Sequence, residues 1–266
     1  MDIFNSFLFI LAVIKVFAGL GDLIGYTITG FILSVCDLAF KKPQSNNKYI
    51  FRVSRDRAYI RNFGGVNMFT DVEMKIKRKN KILFSRESQC LQDLIELIQL
   101  QKHRTLVMWA LDCAKLPLMQ FEAKYPVECR PRRCLELSED WARGKIKMPI
   151  AKRAILDSHA VVKEINDAEY GALCHAIGHA GATVHVETHA LGLPMYELTA
   201  LVLKYGKDNF QAPVKEKITY YNDRLLYWQQ NTDELRLNWA DFLLDDTKPN
   251  KERLLSEKRK LKPKLR

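Results

Sequence analysis

The chain has 266 residues, 47% of them hydrophobic, with 9 prolines and 12 glycines; it can bury a proper core, which excludes a disordered, collagen-like or mucin-like chain. Its net charge of +11 is segmental: residues 41–81 hold twelve Lys or Arg against three acids, residues 248–266 hold nine against two, and the stretch between them is slightly acidic. A groove-reading domain would carry basic charge on its folded face, so nucleic acid is not the expected partner.

From Ile3 to Phe40 the charged side chains are Lys15, Asp22 and Asp37, and two apolar runs of 19 and 18 residues flank Asp22. Each run is just long enough to cross a hydrocarbon core of ~30 Å as a helix. Lys41 and Lys42 follow at once, which by the positive-inside tendency puts everything downstream in the cytoplasm, with the basic flanks placed to lie on an anionic membrane surface. Residues 1–40 therefore read as a hydrophobic helical segment attached to the inner face of the cell membrane. The competing reading is a buried helical pair, because Lys15, Asp22 and the glycines at 19, 21, 25 and 30 weaken both spans.

Residues 41–87 read as a basic linker with short β-strands. Tyr49-Ile-Phe-Arg-Val, Ala58-Tyr-Ile-Arg and Met74-Lys-Ile-Lys alternate apolar with charged side chains, and Phe63-Gly-Gly-Val supplies a turn. Arg52, Arg55, Arg57 and Arg61 suit phosphate, but a strand's outer face is commonly charged to stay solvated and unpaired.

From Ser88 to Asp246 the period is helical, and the expected fold is an all-α bundle or array. Leu91, Leu94, Ile95, Leu97 and Ile98 form one stripe; Leu106, Trp109, Ala110, Cys113 and Leu116 or Pro117 form another before Tyr125-Pro126. Arg130-Pro131 opens a helix that Gly144 ends, and Met148-Pro149 opens the next, which runs to Asn166. A helix from about Ala168 to Leu191 is broken by Gly192-Leu-Pro194; helices over 195–205 and 213–230 follow, and Trp239 and Phe242 make a last apolar contact. Residues 247–266 read as a flexible basic tail. Gly171, Ala172, Ala176, Gly178, Ala180, Gly181 and Ala182 crowd one helix, which is expected to be central because so bare a backbone admits close neighbours.

Five of the six histidines lie between 159 and 189, four of them as the i, i+4 pairs His175/His179 and His185/His189. On one continuous helix all four share a face. That spacing suits two imidazoles on a divalent ion such as zinc, with Glu187 or Asp157 as a carboxylate. However, His179 and His185 stand ~9 Å apart along a helix, too far for one ion to hold both pairs, and neither pair has the HExxH order. The six cysteines form no CxxC pair, and no nucleophile elbow or phosphate loop is present. The plainer reading makes the imidazoles polar core or interface groups, hydrogen-bonded across helices to a carboxylate such as Asp112.

Trp109-Ala-Leu-Asp-Cys-Ala, Tyr125-Pro, Arg130-Pro-Arg, Trp141-Ala-Arg-Gly, Ala151-Lys-Arg-Ala, His159-Ala and Ala180-Gly-Ala-Thr-Val-His185-Val-Glu-Thr-His189-Ala, in that order, resemble the immunity-protein-five-like family. The resemblance runs from about His103 to Leu244 and leaves residues 1–85 without a counterpart. It implies an all-α protein, encoded beside a toxin gene in bacterial polymorphic-toxin systems, that neutralises the cognate toxin domain by binding. It also implies recurrent polar positions at Trp141, His159, His185 and His189, with His179 matching less regularly. The expected function is thus non-catalytic toxin neutralisation without a cofactor, with Asp112, Arg130, Trp141, His159, His185 and His189 as binding or polar-core residues. The alternatives are a metal-binding protein or metal-dependent enzyme using His159, His185 and His189, and a membrane-attached interaction scaffold.

Overall fold

The computed structural model describes residues 67–235 and 237–261, and among them every regular element is helical. The expected membrane segment and the first two expected strands lie outside the described residues. Among the described residues no helix is long and apolar enough to cross a membrane.

The chain enters on α1, Thr70–Lys77. Met74-Lys-Ile-Lys, expected as a strand, is the second half of this helix. Buried Phe69 and Val72 and half-buried Ile76 set the period, i, i+3, i+7, and all three pack on the main core. Asp71 and Glu73 in the first turn and Lys75 and Lys77 in the last complement the helix dipole. Leu83 and Phe84 join the same core, so the compact unit extends N-terminal of Ser88.

After a 3-10 turn at Gln89–Leu91 come α2 (Gln92–Gln99), α3 (His103–Cys113) and α4 (Lys115–Lys124). The second expected stripe is thus divided at Ala114, and Pro117 falls in the first turn of α4, where a missing N–H removes no helical bond. Helix α5, Arg130–Ala142, carries Pro131 in its first turn. Gly144 stops it with φ +71°, and the Gly144 and Lys145 amides donate back to the Trp141 and Asp140 carbonyls at 2.9 Å each. Helix α6 spans Met148–Ala160, followed by a 3-10 turn at Val161–Lys163.

Helix α7, Ala168–Ala182, is capped by the Asp167 carboxylate, which accepts from the Tyr170 amide at 3.2 Å. It ends nine residues before the expected stop at Leu191. The Thr183 hydroxyl donates to the His179 carbonyl at 3.0 Å, and the chain turns through a 3-10 segment, Glu187–His189. Gly192-Leu-Pro194, expected to break a helix, instead begins α8, Gly192–Tyr205, again with proline where no helical N–H is needed. His185 and His189 therefore stand on the α7–α8 connection, and the four histidines do not share one helix.

Helices α9 (Gln211–Asn231), α10 (Asp241–Leu244) and α11 (Lys251–Leu261) complete the array. The segment expected as a flexible tail thus contains α11, which is fixed by long-range polar contacts. Asn250 accepts from the Glu252 and Arg253 amides at 2.9 and 3.2 Å and donates to the Ile98 and Gln101 carbonyls at 3.0 Å each. Glu252, buried, takes a two-pronged pair from Arg86 at 2.7 and 2.8 Å.

Helix α7 lies at the centre and touches α3, α4, α5, α6 and α8, as its small residues predict. The space they leave is filled by neighbours. A Cβ at Gly178 would stand 2.5 Å from the His159 ring, one at Gly181 2.5 Å from the Ser138 hydroxyl, and one at Gly192 2.2 Å from the His179 ring. The main apolar core lies on the other side, where Trp109 and Tyr221 meet edge to face at 5.6 Å and the Trp109 indole donates to the Tyr221 carbonyl at 3.0 Å. Gly→Ala inside a helix ordinarily stabilises by ~1 kcal/mol; at Gly178 the steric conflict outweighs this, and Gly178→Ala is expected to destabilise by about 1–3 kcal/mol in urea unfolding. A more stable variant would show that the imidazole does not occupy the notch.

Candidate functional site

The two glycine notches admit a row of four imidazoles drawn from three elements. His159 comes from the end of α6, His175 and His179 from one face of α7, and His189 from the turn before α8. His159 Nδ1 lies 2.8 Å from His175 Nδ1, and His179 Nδ1 lies 3.4 Å from His189 Nδ1. His159 meets His179 edge to face at 5.4 Å, which joins the two pairs. Tyr196 of α8 closes the row, 5.1 Å from His179 in a stacked arrangement and 4.8 Å from His175.

Two ring nitrogens at 2.8 Å form a hydrogen bond only if one carries a proton and the other a lone pair, so His159 and His175 cannot both be imidazolium. Burial and mutual repulsion act in the same direction. Burial is the main cause that pushes His159 down to about 4 and His179 down to about 3, and neighbouring imidazoles add to it. His175 and His189 are lowered as well, His175 by burial and His189 by burial followed by repulsion from His185 and Arg86. A neutral, half-buried row is thus the ground state at neutral pH.

The other expected site residues are dispersed. Asp112 does not reach the histidines; it accepts from Arg224 Nε at 2.9 Å and from the Trp228 indole at 3.0 Å, joining α3 to α9. Arg130 bridges Glu128 and Glu164 at the surface, each at 2.5 Å. Trp141 is buried at 6% exposure, stacked on His185 at 6.1 Å and 5.5 Å from Phe242. His185, exposed, sets its ring against Trp141 and acts on the row through its repulsion of His189. The expected trio His159, His185 and His189 is therefore not assembled, and among the described residues no three His, Cys, Asp or Glu side chains are arranged to hold a metal ion.

Residues that sequence reasoning missed complete the polar interior. Tyr196 carries no spacing signal, and its role follows only from the α7–α8 pairing. Glu197, 2% exposed, accepts from Lys217 at 2.5 Å and from the Tyr221 hydroxyl. Burial pushes that carboxyl up, against the opposing pull of Lys217.

With this geometry in hand, a family model described as "Imm-5 like putative immunity protein" matches residues 96–224. Over this segment the chain is similar to the Imm-5 like family. The Imm-5 like segment starts within α2 and ends within α9, so it contains the whole imidazole row but neither α1 nor α11. No curated protein and no solved structure matches the chain.

The row gives stability a definite pH dependence. A histidine whose folded pKa lies below its unfolded value of ~6.5 binds protons more readily when unfolded, so stability is full above ~6.5 and is lost as pH falls towards the folded values. Because the rings are half-buried, the effect is discounted for solvent, and Tm is expected to drop by roughly 5 °C between pH 7 and pH 5, before most carboxylates titrate. The slope should flatten in a His159→Asn, His179→Asn double variant; an unchanged slope would place the proton uptake elsewhere.

Proposed function

We propose that this protein is an immunity protein that neutralises a cognate bacterial toxin by direct, non-catalytic binding. The observation that carries the reading is the Imm-5 like match across the central helices. The site chemistry supports it. A catalytic histidine works best with a pKa near the working pH, whereas His159 and His179 are held at about 4 and about 3, and each pair of Nδ1 atoms is turned inward on its neighbour. The row thus serves to fix α6, α7 and α8 in one arrangement, a rigid scaffold for a binding surface.

In this reading the helical unit faces the cytoplasm, where it meets a toxin that has entered the cell, and the apolar residues 3–40 attach it to the membrane. Lys41 and Lys42 after the second apolar run support that orientation. Co-expression with the toxin domain encoded beside it tests the function: growth should be restored, and the two proteins should purify as one complex. Unrelieved killing despite stable expression would overturn the reading. Fractionation against a form starting at Phe63, where the compact helical unit begins, should move the protein from the membrane to the soluble fraction. A full-length protein found wholly in the soluble fraction would contradict membrane attachment.

A further inference from the structure

The α7–α8 connection carries a carboxylate into the interior and leaves it without a donor. Glu187 is 6% exposed, and its Oε2 is buried with no hydrogen-bond partner among the described residues. Its Oε1 faces His103 Nδ1 at 3.9 Å, beyond hydrogen-bond reach. His103 Nε2 lies 2.7 Å from the Thr183 carbonyl oxygen, so Nε2 carries the proton and donates. In the neutral ring, favoured here because burial lowers the His103 pKa, Nδ1 is then a lone pair. Two acceptors therefore face each other with no donor between them, an arrangement that calls for a bound partner.

Both groups line a cavity of about 230 Å³. His185 and Phe242 also line it, and both rings rest against Trp141, giving the cavity an aromatic wall. The other carboxylates there are already paired: Asp246 with Arg104 at 2.7 Å and Lys102 at 3.4 Å, and Asp245 with Lys248 at 3.1 Å. The unused acceptor capacity thus belongs to Glu187 and His103. The cavity is smaller than the ~300–1,000 Å³ of drug-sized ligand sites and suits a single side chain.

A group that satisfies a carboxylate with two parallel N–H donors, offers further donors to an imidazole lone pair and lies flat on an aromatic wall is a planar guanidinium. An ammonium offers a point charge without the flat face. We propose that this cavity is a guanidinium receptor, filled by an arginine side chain of the protein partner. This inference rests on the binding-protein reading above. Lys102 and Lys248 also line the cavity but pair with Asp246 and Asp245, which makes Lys251, a third lining residue, the competing cation. Phe242 and Lys251 lie beyond the Imm-5 like segment, so the chain's own C-terminal part completes the site.

The test titrates the full chain with N-acetyl-arginine amide and, separately, N-acetyl-lysine amide, read by calorimetry and by the imidazole NMR signals of His103 and His185. Saturable one-to-one binding of the arginine amide is expected, about tenfold tighter than the lysine amide, weakened at least about tenfold by Glu187→Gln and tightened by Lys251→Ala. Absence of saturable binding, an equal response in a folded Glu187→Gln variant, or equal affinity for the lysine amide would overturn it, as would a Zn²⁺ complex at His103 that excludes the arginine amide. Arginine-amide binding in a protein that ignores the toxin would overturn the partner reading alone; tight toxin binding unchanged by Glu187→Gln, with no amide bound, would overturn the receptor alone.

Discussion

The fold depends on what α7 lacks. At Gly178 and, across the turn, at Gly192, the volume that a Cβ would occupy is filled by the rings of His159 and His179. Interiors pack densely enough that such a notch must be filled by a shape that fits. A flat imidazole fits, and it brings nitrogens that need partners. Because the nearest partners are other imidazoles, the two steric vacancies generate the chain of contacts from His175 through His159 and His179 to His189. Helices α6, α7 and α8 are thereby fixed by polar contacts where the helix surface is too bare to offer a conventional apolar stripe.

That arrangement sets the electrostatics as well. Desolvation and like-charge repulsion both oppose imidazolium, and among the described residues no carboxylate hydrogen-bonds to any of the four rings to reverse them. The structure does place a carboxylate close by in sequence, Glu187, but directs it to His103 instead. The connection of α7 to α8 thus separates two environments: an imidazole row on one side, and on the other Glu187, which faces His103 and whose Oε2 has no hydrogen-bond partner among the described residues. The first joins α6, α7 and the start of α8, and the second is the one we propose for recognition. Helix α11 lies against that same connection, where Arg86 joins the Glu252 carboxylate to the Thr188 carbonyl, the latter at 2.9 Å.

Much of this was legible in the residues. The all-α class, the start of α5 at Arg130-Pro131, its stop at Gly144 and the central place of α7 each follow from a local signal with a mechanism. The family resemblance was likewise carried by words spread along the helices, and the matched segment includes all those quoted above. The end of α7 was not legible, because glycines and alanines continue smoothly to Ala182 and the helix closes through backbone bonds that tighten to i−3 at Thr183, Val184 and His185, which leave no side-chain signal. Placing four histidines on one helix then grouped His185 with the wrong neighbours. Met74-Lys-Ile-Lys shows the same limit at shorter range: four residues cannot separate a period of two from one of 3.6, and the deciding residues, Phe69 and Val72, stand upstream. The docking of α11 lies beyond local reading altogether, since Glu252 finds Arg86 across 166 residues of chain.

The central claim is that the imidazole row is neutral and internally hydrogen-bonded. Long-range ¹H–¹⁵N NMR of histidine-labelled protein, followed from pH 7.5 downwards, reads the tautomer and the titration of each ring directly. The account predicts that His159 and His179 stay neutral at pH 5.5, with His159 titrating only near pH 4, and that one ring of the His159/His175 pair carries its proton on Nδ1 while the other does not. Ordinary titration of all four rings between pH 6 and pH 7, with averaged tautomers, would contradict it.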